Sequence, residues 1–215
     1  MGQRDFAEFI KDAVNDSKFF VAVILKAVAF ALSVVSGILA IPFSGNILGG
    51  IIGTVVGGLF NLFLIVLPLF EILKAKSSQN FKNDCDFGLK YIRTSTIITL
   101  VILAILTVIV FILTLTADFR FGIVLLLCGI LLAYIIIQLE IINDLRNGLF
   151  YNIEKVSFTL PYLLLTVVGA LLMIALTIVY RQYFESVTQF VGSLSDIIFA
   201  CLILKANKNY KKHLL

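Results

Sequence analysis

Long apolar runs separated by short charged connections are the feature of this sequence that most restricts its fold. The mean hydropathy is +1.08, and only 14% of the 215 residues are charged, where a soluble domain has roughly a quarter. A helix that crosses a membrane needs ~20 mainly apolar residues, and in lipid it satisfies its backbone hydrogen bonds within itself. We therefore predict an all-α integral membrane protein that lies in a lipid bilayer.

Six runs approach the length of a membrane span. We expect a membrane domain at 19–204, an amphipathic helix at 1–18 before it and a basic tail at 205–215 after it. Apolar residues from Phe6 to Val14 recur at helical spacing, which is typical of a helix lying on the membrane surface. The predicted spans are approximately 19–41, 45–73, 94–117, 121–142, 160–180 and 187–204.

Glycines recur at four-residue spacing in the second predicted span. In water each interior glycine costs a helix roughly 1 kcal/mol relative to alanine, but in lipid a row of small residues lets a second helix approach the backbone. Two interpretations stay open, namely packing within the chain, and a face for a pore, for a homo-oligomer or for a membrane-protein partner. We call this surface the glycine face; it comprises Gly45, Gly49, Gly53 and Gly57 with the adjacent Gly50 and Gly58.

Few charged side chains lie inside the predicted spans. Counting 1.5 Å per residue places Lys26 and Asp196 roughly 10 to 12 Å from the same membrane boundary. A lone charge near mid-bilayer costs about 2.5 to 3.5 kcal/mol, so an ion pair between the two is one solution. In the alternatives, Lys26 extends to the headgroups, or Asp196 binds a solute or a proton. The candidate ion-pair or pathway residues are Lys26, Asp196, Gln189 and Glu140.

Positive charge is concentrated in alternate connections. With six spans, the two termini and the second and fourth connections hold fourteen of the seventeen Lys and Arg residues, against two on the other side. Loops rich in Lys and Arg stay in the cytoplasm. The sequence therefore predicts that both termini are cytoplasmic.

Short matches indicate an internal repeat. Two segments exactly sixty residues apart share an Asn-Asp pair followed by a Gly-Leu pair and a tyrosine. We interpret the unit as a helical hairpin with a cytoplasmic amphipathic lead-in, used three times, and chance agreement is the alternative. The matching residues are Asn83, Asp84, Gly88, Leu89 and Tyr91 in one copy and Asn143, Asp144, Gly148, Leu149 and Tyr151 in the other.

The chemical inventory indicates binding or assembly rather than catalysis. The single histidine, His213, lies in the basic tail, so neither a serine–histidine pair nor a zinc-binding HExxH helix has its parts. The cysteines Cys85, Cys128 and Cys201 are scattered without metal-ligand spacing. We expect no enzyme activity, no metal, no cofactor and no nucleic-acid partner.

Two functions fit this inventory almost equally. The favoured hypothesis is a small transporter or channel, or the membrane subunit of one, with Lys26 and Asp196 beside the pathway. The alternative is a non-transporting scaffold, or an accessory or regulatory (immunity-like) subunit of a membrane complex. Flux through liposomes separates the two, because only a transporter or channel moves a solute.

Overall fold

The chain folds entirely into helices where its structure is described. The computed structural model describes residues 5–43, 47–116, 121–151, 153, 155–179 and 183–214, and this part of the chain contains no strand. The predicted all-α class is confirmed. The helices are α1 (Phe6–Asn15), α2 (Ser17–Ala40), α3 (Ile47–Asn61), α4 (Leu67–Ala75), α5 (Phe81–Thr116), α6 (Phe121–Phe150), α7 (Thr159–Val179) and α8 (Tyr183–Leu214), with a 3-10 turn at Ile41–Phe43 and a π-helical turn at Leu62–Val66.

Five helical stretches are long and apolar enough to cross a membrane. The helix α7 is apolar over Thr159–Ala175 and is shorter than these five. The protein is therefore a multi-pass integral membrane protein, and the sixth crossing stays a prediction. The five stretches are Ser17–Ala40, Ile47–Ala75, Phe81–Thr116, Val124–Phe150 and Phe184–His213.

The helices are arranged in a ring. Going round it, α2 packs on α8, α8 on α7, α7 on α6, α6 on α5, α5 on α4, and α4 returns to α2, while α3 packs on α2. The contact of α6 with α7 is the smallest in the ring, because α2 packs on α3 and the π-helical turn as well as on α4, all parts of one long helix. Among the described residues no two helices of the ring make a comparable contact across it, and α1 packs on both α6 and α8 at one end. The ring therefore leaves space at its centre.

The best-packed part of the protein lies where α1, the starts of α2 and α5 and the ends of α6 and α8 meet, which we call the packed end. Phe6 and Leu149 are fully buried there, and the rings of Phe6 and Tyr210 meet edge to face at 4.9 Å. The sequence predicted that α1 lies on the membrane surface, and that position stays a prediction. The apolar face of α1 is covered by α6 and α8, because both helices extend beyond their predicted spans and supply apolar partners.

Three helices are longer than the sequence predicted. The polar segment before the third span and the span itself form one helix, α5, while α6 continues to Phe150 and α8 continues through the predicted tail to Leu214. In that tail the buried Asn207 binds both the backbone N–H and the C=O of Val156, at 2.9 and 3.0 Å. The end of α8 therefore holds the connection between α6 and α7 in place.

The two glycines of the predicted repeat lie at close helix contacts. A Cβ added at Gly88 would lie 2.5 Å from Ile72 Cγ1 and 2.8 Å from the carbonyl oxygen of Pro68 in α4. A Cβ added at Gly148 would overlap the ring of Phe6 in α1. Glycine lets a second helix approach the backbone at both sites. The repeat itself stays a prediction.

A π-helical turn precedes Pro68. Proline donates no backbone hydrogen bond, and its ring crowds the carbonyl of the residue four positions earlier, Leu64. The turn at Leu62–Val66 contains that carbonyl, and its wider winding accommodates the proline.

Candidate functional site

A cavity of about 420 Å³ occupies the centre of the ring. Its wall contains residues of α1, α2, α4, α5, α6, α7, α8 and the π-helical turn, so α3 is the one α-helix that contributes none. Most of the lining side chains are aliphatic, and a few polar ones lie among them. The polar residues that matter below are Lys26, Thr96, Tyr134, Gln138, Tyr162 and Asp196.

An ion pair forms part of the cavity wall. Lys26 Nζ donates hydrogen bonds to both carboxylate oxygens of Asp196, at 2.7 and 2.9 Å. The side chains of Lys26 and Asp196 are 24% and 33% exposed. An ammonium has three donors and a carboxylate has about four acceptor positions, so the pair keeps hydrogen-bonding capacity for a further molecule.

Small residues bring the two charges together. Ala22, Lys26 and Ala29 share one face of α2 because they follow at intervals of four and three residues. On α8, Ser195 donates a hydrogen bond to the carbonyl oxygen of Ala22 at 2.8 Å, and a Cβ added at Gly192 would lie 3.5 Å from that of Ala29. The two helices run antiparallel and close together, so the charged side chains meet.

Two stacked tyrosines lie at the contact between α6 and α7. The rings of Tyr134 and Tyr162 are nearly parallel, with an angle of 13° and centroids 5.5 Å apart. Tyr162 is buried, and both residues line the cavity. The pair closes the ring at its smallest helix contact.

The other candidate pathway residues lie outside the cavity wall. Gln189 is half-buried on α8, seven residues or roughly 10 Å before Asp196. Glu140 is exposed on α6. The structure thus brings together Lys26 and Asp196 but not Gln189 or Glu140.

The glycine face divides into two rows. Gly45 lies outside the described residues. Gly49, Gly53 and Gly57 are exposed, and a Cβ added at Gly53 or Gly57 would meet no atom within 4 Å. Gly53 and Gly57 therefore point away from the part of the chain that the structure describes.

The adjacent row of α3 faces α2. A Cβ added at Gly58 would lie 3.6 Å from Val34 Cγ2, and Gly50 is half-buried. Between them, the Thr54 side chain lies 2.8 Å from where a Cβ of Gly37 would be. Packing of α3 within the chain therefore depends on this second row and on Gly37.

Of the cavity wall, sequence reasoning identified only Lys26 and Asp196; Tyr134, Gln138 and Tyr162 are among the residues that it missed, and in α2 it missed Gly37. Tyr134 and Gln138 are four residues apart and so share one face of α6 inside an aliphatic run. Tyr162 has Thr166 four residues later in α7. Both spacings were usable signals.

The described side chains offer no obvious metal site. Among them, no group of three or more His, Cys, Asp or Glu residues is placed to hold a metal ion. The three cysteines are free thiols, with Cys85 and Cys128 buried and Cys201 exposed. What the cavity wall offers chemically is hydrogen bonding, one ion pair and apolar contact.

Comparisons with protein-family models, with curated proteins and with solved structures give no match. A functional argument for this chain therefore starts from the geometry of the cavity.

Proposed function

We propose that the protein is a small membrane transporter whose central cavity binds the transported solute. The observation that carries the proposal is the ion pair of Lys26 and Asp196 on the wall of a cavity enclosed by the ring. Ionisable groups at membrane depth are costly, and they characteristically mark pathways for ions and substrates.

The size and lining of the cavity support a binding role. Ligand sites typically have volumes of ~300 to 1,000 Å³ and combine apolar walls with a few polar groups that fix orientation. The cavity, at about 420 Å³, lies within this range and has both kinds of wall. We propose binding rather than catalysis, because the polar groups described on the wall do not include a nucleophile hydrogen-bonded to a base.

The ring provides one place where the cavity could open. The contact of α6 with α7 is the smallest between neighbours. Separation there would open the cavity while the ion pair keeps α2 and α8 together. In this scheme the solute binds beside the ion pair and leaves when α6 and α7 separate.

We propose the predicted orientation, with both termini in the cytoplasm. It is supported by the position of α1 against the end of α8, since two chain ends on one side require an even number of crossings. The helix α7 is then the sixth span. Single cysteines just before α5 and at its last residue test this orientation in a cysteine-free variant. An impermeant reagent should label Thr116→Cys in intact cells and Ser78→Cys only after permeabilisation, and the reverse pattern contradicts the orientation.

The transport proposal is tested by comparing two neighbouring positions of α6. Ile135 lines the cavity and is 8% exposed, whereas Ile136 does not line it and is 49% exposed. Ile135→Trp fills the cavity and Ile136→Trp is the matched control. Solutes from a panel of polar and amphipathic metabolites should raise the unfolding temperature of the wild type and of Ile136→Trp but not of Ile135→Trp. The same solutes should then enter proteoliposomes, and a ligand that binds without entering contradicts transport.

A scaffold or accessory subunit is the second candidate function. The observation that favours it is the outward row of the glycine face, where a Cβ added at Gly53 or Gly57 would have no described atom within 4 Å. In that case Gly53→Leu should change the oligomeric state or the co-purifying proteins in mild detergent, whereas Leu64→Ile on the same long helix should not. Unchanged association in Gly53→Leu contradicts this function.

A further inference from the structure

We infer that the cavity binds an amphipathic molecule with one uncharged hydrogen-bonding head, which lies at Lys26 and Asp196, and an apolar body that extends toward the packed end. The inference rests on the proposed function, because it names the chemical class of the solute. It depends on the charge, the shape and the size of the cavity.

The charge of the wall favours an uncharged head. Lys26 and Asp196 neutralise each other, and the other titratable side chains on the wall are Cys85, Tyr134 and Tyr162. An added charge would enter an apolar space without a counter-charge, which is unfavourable. A hydroxyl or carbonyl head accepts from Lys26, and a hydroxyl also donates to Asp196.

The shape of the cavity places the head at one end. On α8 the lining begins at Asp196 and ends at Ala206, a distance of roughly 15 Å along the helix. Beyond the ion pair the wall is mainly aliphatic up to Ile10 and Val14 of α1, at the packed end. One end is therefore polar, and the remainder is suited to a chain or a ring system.

The volume limits the size of the molecule. A cavity of ~150 Å³ holds a benzene, and the cavity here, at about 420 Å³, is nearly three times larger. By proportion it holds roughly 15 to 20 non-hydrogen atoms. A single-chain alcohol of about a dozen carbon atoms matches this limit.

The test uses three photoreactive probes that differ only in the head group. Dodecanol, dodecanoate and dodecylamine, each carrying a diazirine on the chain, are cross-linked to the full-length protein in nanodiscs, and the adducts are mapped by mass spectrometry. The alcohol should label the cavity wall of α6 around Ile135 at least about tenfold more than the acid or the amine. Labelling there should be lost in Ile135→Trp and kept in Ile136→Trp.

Two charge variants test the position of the head. Asp196→Asn leaves Lys26 without a counter-charge and should shift the preference to dodecanoate, whereas Lys26→Met should shift it to dodecylamine. The inference is overturned if the three probes label the wild-type cavity equally or label only exposed positions such as Ile136. It is also overturned if both variants fold but keep the preference of the wild type.

The outcomes separate the inference from the proposed function. In one outcome, a polar solute raises the unfolding temperature and enters proteoliposomes with the wild type but not with Ile135→Trp, and none of the three probes labels the cavity. Transport then stands and the amphipathic ligand is rejected. If dodecanol labels the cavity as expected but no solute enters proteoliposomes, the ligand class stands and transport is rejected.

Discussion

The packed end and the lipid-exposed helices of this protein are stabilised in different ways. At the packed end, Phe6, Cys85 and Leu149 are almost fully buried among α1, α5, α6 and α8. In contrast, α3 has no buried residue, and α5 has none after Thr96. In lipid an apolar side chain gains little by leaving one apolar neighbour for another, so helices associate there through close packing and polar contacts.

The difference indicates which residues specify the tertiary structure. Where the helices extend beyond the apolar spans, burial of apolar surface is a strong driving force. Ion pairs occur there as well, between Arg146 and Asp86 and between Lys205 and Asp16. We expect the packed end to fix the arrangement of the ring and the lipid-exposed helices to tolerate substitution.

The largest loss of stability is expected for Phe6→Ala. Removal of a fully buried aromatic side chain costs ~3 to 5 kcal/mol, and Phe6 is 0% exposed. The matched control is Phe111→Ala on α5, where the side chain is 50% exposed, with an expected loss below ~1 kcal/mol. Thermal unfolding in one detergent measures both, and equal losses would contradict the proposed division.

The next effect is expected for the ion pair. Lys26→Asp and Asp196→Lys each place two like charges together at membrane depth, and an unpaired charge there costs about 2.5 to 3.5 kcal/mol. The double substitution restores an ion pair in the opposite direction and should recover most of the folded yield. If the double variant is as poor as the sum of the single variants, the ion pair does not stabilise the fold.

A smaller difference in stability is expected between alanine substitutions at two glycines, one at the packed end and one on the lipid-exposed α3. Gly148→Ala should destabilise the protein by ~1 to 3 kcal/mol, because its Cβ overlaps the buried ring of Phe6. Gly53→Ala should leave stability unchanged or raise it slightly, since nothing lies near it and alanine favours the helix. A large loss in Gly53→Ala would show that a partner covers this face of α3.

The smallest effect expected is the change with pH in the contribution of Asp16 to stability. The backbone N–H of Lys18 and the side chain of Lys205 hold the pKa of Asp16 below its ordinary value of 3.8. The contribution of Asp16 to stability is therefore present above pH 3.8 and lost as the pH falls through the lowered pKa. Asp16→Asn should lower the unfolding temperature slightly at pH 6 and not at pH 2. An equal difference at both pH values would contradict the assignment.

The sequence predicted the elements that depend on local regularities. Hydropathy located the apolar helices, because a bilayer requires apolar side chains along each crossing. A constant helical rise placed Lys26 and Asp196 at one depth, and their side-chain atoms lie 2.7 Å apart. Such regularities can be read from one segment at a time.

The remainder depends on which segments meet. The periodicity of α1 identified its apolar face but not the helices that cover it. The same holds for α3, where the spacing of glycines did not reveal that Thr54 meets Gly37. The spacing of Tyr134 and Gln138 marks one face of α6, but it does not reveal the cavity, since the cavity arises from the order of the helices around the ring.

The unbroken helix α8 joins the cavity mechanically to the aqueous side of the protein. Asp196 lies on the cavity wall, and eleven residues later Asn207 holds the backbone of Val156, while the Tyr210 hydroxyl donates to the carbonyl oxygen of Ile153 at 2.6 Å. An α-helix resists twisting, so a rotation of α8 that moves the Asp196 carboxylate also moves the connection before α7. One continuous helical segment about 16 Å long therefore links the cavity wall to the connection before α7.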